Sequence, residues 1–284
     1  MDETLSLLIQ LFVLAFVLTS MFGTGLSLTI GQIIEPLKNA KLVVLALLAN
    51  FIIVPALAYG IAAVLGLSEG LRAGLIILAA CAGAPFLPKL AAIAKGDLAF
   101  SVGLMVLLMV VTVAFAPVVL PLLIPGVAVS AWDIARPLIF LMLIPLGIGL
   151  FVKAWTPETA DSLAPHMNHA SSLSLILASI LGLLVGFGNL TGAAGTGAFA
   201  AAALLIGGAL LVGYLLGSGG PAGRSVMGLG TGQRNISAAL LIASTNFTDP
   251  EVIVMVIVGS VAAMAILFIA AGFLGKRTAA AAAG

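Results

Sequence analysis

Very little in this sequence can carry a charge. Ten acidic and eleven basic residues among 284, or 7%, cannot cover a soluble domain that is 62% hydrophobic. Polar content that low would leave most apolar surface facing water. The bilayer is therefore the expected solvent. A net charge of +1 with no basic cluster excludes nucleic acid as a partner. The single cysteine, Cys81, excludes an internal disulfide framework. His166 and His169 fall in a polar connection, too few and too local for a metal centre. No histidine falls in any apolar run, and the one acid within their bounds, Glu251, sits at an outer end, so a nucleophile at depth would lack a base. An enzyme is not expected, and Cys81 and Ser237 read as packing residues. The glycines of GLGTG follow no strand and are not a nucleotide fingerprint. No cofactor is implied.

What is present is apolar length. Runs of about 20 residues predict nine membrane helices and an all-α polytopic membrane protein. The runs lie at 5–29, 42–66, 70–95, 98–123, 134–154, 171–189, 194–216, 223–246 and 250–274. The acidic start MDETLSLLIQ lacks the positive region of a secretory signal, so the first run is expected to be retained. The alanine-rich tail after Arg277 is low in information. With the N-terminus outside, inner connections hold Lys38, Lys41, Lys95, Lys153, Arg224, Lys276 and Arg277. Outer ones hold Arg72 and Arg136. That asymmetry predicts a cytoplasmic C-terminus in a plasma (inner) membrane. The acids are expected at the edges: Asp2, Glu3, Glu69, Asp133, Asp249 and Glu251 outside, and Glu35, Asp97, Glu158 and Asp161 inside.

Two runs are interrupted. CAGAPFLPK (Cys81 to Lys89) carries Gly83, Pro85 and Pro88, and GLGTGQRN (Gly228 to Asn235) carries three glycines. Proline removes a backbone donor and glycine relaxes the chain, so both predict helix breaks. Gly23 and Gly25 are expected to loosen the first run. Each break falls in the third of four spans, in 1–4 and again in 6–9, with one span between. That is the pattern of an inverted repeat. Non-helical backbone at membrane depth must line protein or a cavity, and paired breaks point to the binding site of a secondary transporter. Lys89 and Arg234 each lie beside a break, at a depth where an unpaired cation costs about 2.5–3.5 kcal/mol. They are read as fixed positive charges for an anion or, more plainly, as caps on unwound carbonyls. Asn235 is placed at the start of a half-helix. Phe86, Thr24 and Thr231 are candidate cavity residues, and Asn50 is a polar residue at depth.

Four stretches are similar to the bile acid:sodium symporter family. They are MFGTGLSLT (Met21 to Thr29), ANFIIVPALAYG (Ala49 to Gly60), CAGAPFLPKLAAIAKGDLAFSV (Cys81 to Val102) and GTGQRNISAALLIA (Gly230 to Ala243). The resemblance implies two crossing broken helices, a core domain (40–124, 193–275) and a panel domain (1–32, 133–190). It also implies a nine-span variant of a fold that often has ten. In the family two sodium ions sit near the crossover, on a glutamate, glutamines, small polar side chains and carbonyls. Here Leu87 and Pro88 stand at the serine–asparagine pair, Gly230 at the glutamate, Arg234 at a glutamine and Asn50 at another. Met105 stands at a threonine, while Ser101 and Asn235 are kept. Gln233 completes the set of cation-site positions. Sodium is possible, but most of its ligands are lost.

These departures lead to an expectation. Lys89 and Arg234 replace the two sodium ions with attached charge, in a sodium-independent alternating-access carrier of a small organic anion. A monomer is compatible with it, and the oligomeric state is not legible. Sodium coupling, proton coupling through Lys89, exchange, facilitated diffusion, a channel and a non-transporting membrane protein are the alternatives. The substrate is not legible.

Overall fold

The computed structural model describes the backbone of residues 3–84, 86–124, 138–193 and 195–283, with Trp132 and Arg136. Side chains at 3–6, 33, 36, 37, 179, 182–193 and 282–283 are not among those described. Asp2, Pro85 and Asp133, and the side chain of Glu3, thus lie outside the described residues. Every described element is helical. In chain order they are α1 (Glu3–Ser27), the short α2 (Ile30–Ile34), α3 (Ala40–Val64), α4 (Glu69–Ala80), α5 (Leu87–Ile93) and α6 (Leu98–Leu123). There follow α7 (Ile139–Trp155), α8 (Pro157–Ala193), α9 (Ala198–Leu216), α10 (Gly220–Gly232), α11 (Ile236–Asn246) and α12 (Pro250–Ala283). Five of them, in α1, α3, α6, α9 and α12, are long and apolar enough to cross a membrane. The protein is an all-α polytopic membrane protein.

Two helices widen at the same offset from a proline. In α3 the turn Ala49–Ile53 is π-helical and precedes Pro55; in α7 the turn Ile139–Leu143 is π-helical and precedes Pro145. A helical proline clashes with the carbonyl four residues back, and a wider turn makes room for the ring. In α3 that turn carries the buried Asn50.

Both expected interruptions are present. Between α4 and α5 the chain leaves the helix at Cys81 (φ −94°, ψ 96°), and Gly83 has φ +78°. A Cβ on Gly83 would lie 2.1 Å from the Met109 nitrogen, so only glycine fits this strand of backbone against α6. Thr112 of α6 serves both free groups of Ala82. Its hydroxyl accepts from the Ala82 N–H at 3.0 Å and donates to the Ala82 carbonyl at 3.1 Å. The second interruption is narrower than expected. The run Gly228–Gly232 is helical and only Gln233–Asn235 is open. Those glycines stay helical because they serve packing: a Cβ at Gly228 or Gly232 would press on α9.

Two further expectations change. Gly23 and Gly25 do not loosen α1, which is continuous to Ser27. Gly25 is instead where α1 meets α7, since a Cβ there would lie 2.3 Å from the Leu146 carbonyl oxygen. The polar stretch before residue 171 is not a connection but the first turns of α8. His166 and His169 sit on it exposed, each Nδ1 against the carbonyl four residues earlier, at Ser162 and Pro165. The tail after Arg277 continues α12 to Ala283. Helices α1, α7 and α8 pack together, while α4, α9, α10 and α11 pack around α12.

Candidate functional site

The two interruptions meet and are stitched by backbone and side chain. The Asn235 N–H donates to the Cys81 carbonyl at 2.9 Å, and its Nδ2 donates to the Gly83 carbonyl at 2.9 Å. Its Oδ1 accepts from the Ala238 N–H at 3.1 Å and so caps α11. One fully buried asparagine therefore starts a half-helix and ties it to the opposite break.

Arg234, one residue earlier, is 1% exposed and the largest fully buried side chain among the described residues. Its Nη1 donates to the Ala79 carbonyl at 3.1 Å. Its Nη2 donates to Asn50 Oδ1 at 2.5 Å and to the Thr231 carbonyl. Ala79 lies in the last turn of α4 and Thr231 in the last turn of α10. Carbonyls there have no partner within the helix, and each helix end carries about −0.5 of a charge. Two such ends supply about the charge that one guanidinium needs, without a carboxylate. Among the described residues the ion pairs are Lys38–Glu35 and Lys153–Asp161, both away from this centre, and no acid is buried. Hydrogen bonds to a charged group contribute roughly 1.5–3 kcal/mol each. Three offset a desolvation cost of several kcal/mol.

Asn50 is held for this contact. Its Nδ2 donates to the Ala46 carbonyl at 2.9 Å and to Thr231 Oγ1 at 3.2 Å, which leaves Oδ1 facing the guanidinium. Arg234 Nε and Gln233 Oε1 are buried and have no hydrogen-bond partner among the described residues.

Lys89 is not part of this cluster. On the first turns of α5, Leu87 and Leu90 point inward, each 1% exposed. At about 100° per residue Lys89 falls on the opposite side. It is exposed, its ammonium 5.4 Å from the ring centre of Phe86. Phe86 is half-buried and pairs with Phe268 of α12, ring centres 5.6 Å apart. A Cβ at Gly230 would lie 2.8 Å from Leu104 Cδ2 and 3.0 Å from Leu87 Cδ2. Leu87, Leu104 and Met105, each 1% exposed, fill that neighbourhood with hydrocarbon. Pro88 is half-buried at the start of α5. Ser101 is buried, but its hydroxyl donates to the Leu98 carbonyl of its own helix at 2.7 Å. Thr24 is half-buried on α1, and its hydroxyl donates to the Ser20 carbonyl of its own helix at 2.7 Å.

Structure thus joins Asn50, Thr231, Gln233, Arg234 and Asn235 with Gly83 of the first break, and adds Ala79, Cys81 and Thr112, whose part in the site sequence reasoning missed. Ala79 and Cys81 act through backbone atoms and leave no side-chain signal. Thr112, a lone hydroxyl in the apolar run of α6, was the one detectable signal.

The family model described as "Sodium Bile acid symporter family" matches residues 12–192. The chain belongs to this sodium/bile acid symporter family. The matched range contains Asn50 and the first broken helix and ends before α10. A rice (Oryza sativa subsp. japonica) protein described as "Probable sodium/metabolite cotransporter BASS2, chloroplastic" is 28% identical over 248 residues, 82% of this chain and 57% of its own. The "Uncharacterized sodium-dependent transporter YocS" of Bacillus subtilis (strain 168) is 31% identical over 138 residues, 47% of this chain and 42% of its own. A second rice protein, "Probable sodium/metabolite cotransporter BASS3, chloroplastic", is 25% identical over 166 residues, covering 57% and 39%. The chain spans about half the length of the curated relatives it matches. Family membership relates it to the sodium/metabolite cotransporters named above.

Proposed function

We propose that the chain carries a small organic anion across the membrane by alternating access and without sodium, with Arg234 acting as an attached cation at the crossover. The observation that carries this reading is the oxygen set around Arg234: two helix-end carbonyls and the Asn50 amide oxygen, all accepting from one guanidinium. Sodium would need such hard oxygens, and here they are already taken. Around Gly230 the residues do not fit an ion at all, since Leu87, Leu104 and Met105 offer no oxygen.

The remaining parts of the reading follow. Counting each broken pair as one crossing, the described helices α1, α3, α4–α5, α6, α7, α8, α9, α10–α11 and α12 would supply nine spans, five of them already long and apolar enough as single helices. Their order fits an inverted repeat, with the N-terminus outside. The packing of α1 with α7 and α8 fits a panel moving against a core. Lys89, exposed beside Phe86, suits contact with an arriving anion better than replacement of a buried ion. Arg234 Nε and Gln233 Oε1 are the buried polar atoms left over for a ligand at the break.

Sodium coupling, which the relatives' names carry, is the competing reading. A thermal-shift series with a carboxylate and sulfonate panel, in sodium and in choline, separates the two. Wild-type melting is expected to be indifferent to sodium. Arg234→Gln is expected to melt earlier and to recover part of the loss in sodium, because the vacated oxygens can then hold an ion. Sodium stabilising the wild type would defeat the proposal.

A further inference from the structure

The electrical consequence of this arrangement goes one step beyond sodium independence and rests on that reading. We propose that the carrier is uncoupled, moving its anion down the anion's own electrochemical gradient, so that an electrically negative inner side drives export. Arg234 is bonded to α3, α4 and α10, all elements of the crossover itself. Its partners do not depend on a dissociable ion, so the crossover is satisfied whether the anion is bound or absent. Nothing at that centre then prevents the empty carrier from turning back. Arginine keeps its proton, and every described acid lies outside the buried set, so no buried carboxylate is present there to carry a proton.

The charge balance is strict. After one full cycle each protein atom is back where it began, so Arg234 contributes no net charge however it moves within the cycle. The net charge moved is that of the substrate, −1 for a monovalent acid. A carrier taking two sodium ions with the same acid moves +1 in the direction of the substrate. The sign of the transport current therefore distinguishes the two.

Purified full-length protein in liposomes tests this with labelled pyruvate, pantoate and taurocholate as probes. In sodium-free buffer, an imposed potential of about 100 mV, positive inside, is expected to concentrate a transported monovalent probe about 50-fold. The inverted potential is expected to expel it, and a pH gradient to have no effect. Addition of the probe is expected to give a current of inward negative charge. Sodium-driven uptake with inward positive current overturns both this inference and the sodium-independent reading beneath it. Sodium-free flux that follows a pH gradient, or that occurs only against probe inside, overturns uncoupled export and leaves sodium independence standing. No flux of any probe above protein-free liposomes overturns both.

Discussion

At the scale of single residues, the crossover is held by side chains that satisfy backbone groups. Thr112 is the simplest case, because one hydroxyl serves both the N–H and the carbonyl of Ala82 in a segment shielded from water. Thr112→Val keeps the shape and removes both partners. It is expected to lower stability by roughly 1–3 kcal/mol, read as an earlier melting transition in detergent, with Thr112→Ser restoring most of it. Arg234 was legible in the sequence as an expensive cation. Its partners were not, since Ala79 and Thr231 act through carbonyls that any residue type would supply. Lys89 lies beside the first break in sequence but is exposed and apart from the Arg234 cluster. The phase of a short helix decides this, with Leu87 and Leu90 taking the inward side.

At the scale of elements, proline and glycine read differently. The first break was visible because Gly83 and the prolines leave backbone groups without helical partners. The second was drawn too long, because Gly228, Gly230 and Gly232 are small for the sake of neighbouring side chains and remain helical. Gly83 is the position that tolerates no side chain, having both positive φ and contact with α6. Gly83→Ala is expected to abolish a monodisperse peak in size-exclusion chromatography, whereas Gly60→Ala, with nothing near its Cβ, is expected to leave it intact. The polar start of α8 read as a connection because its charges lie at an exposed end of a helix that is otherwise apolar. Hydropathy marks where lipid begins and does not mark where a helix does.

At the scale of the whole molecule, the all-α polytopic membrane class was the most legible feature, since bilayer thickness fixes the length of an apolar run, and five described helices meet it. How they assemble was not, because close approach depends on scattered small residues such as Gly25 and Gly213. Orientation is testable directly. Thr248 lies in the exposed connection before α12 and Ser218 in the exposed connection before α10, while the native Cys81 is fully buried. In intact cells Thr248→Cys is expected to react with a membrane-impermeant maleimide, and Ser218→Cys only after permeabilisation. The reverse pattern would invert the orientation and, with it, the side from which the anion is expelled.

The crowding at Gly230 also imposes an order on descent. Any side chain at that position must first turn aside the methyl ends of Leu104 and Leu87. Under the proposed function, a lineage with these leucines would regain an ion-binding centre only after that rearrangement, which by itself brings no benefit. On that reading the exchange of a mobile ion for an anchored one would act as a ratchet, easier to enter than to leave.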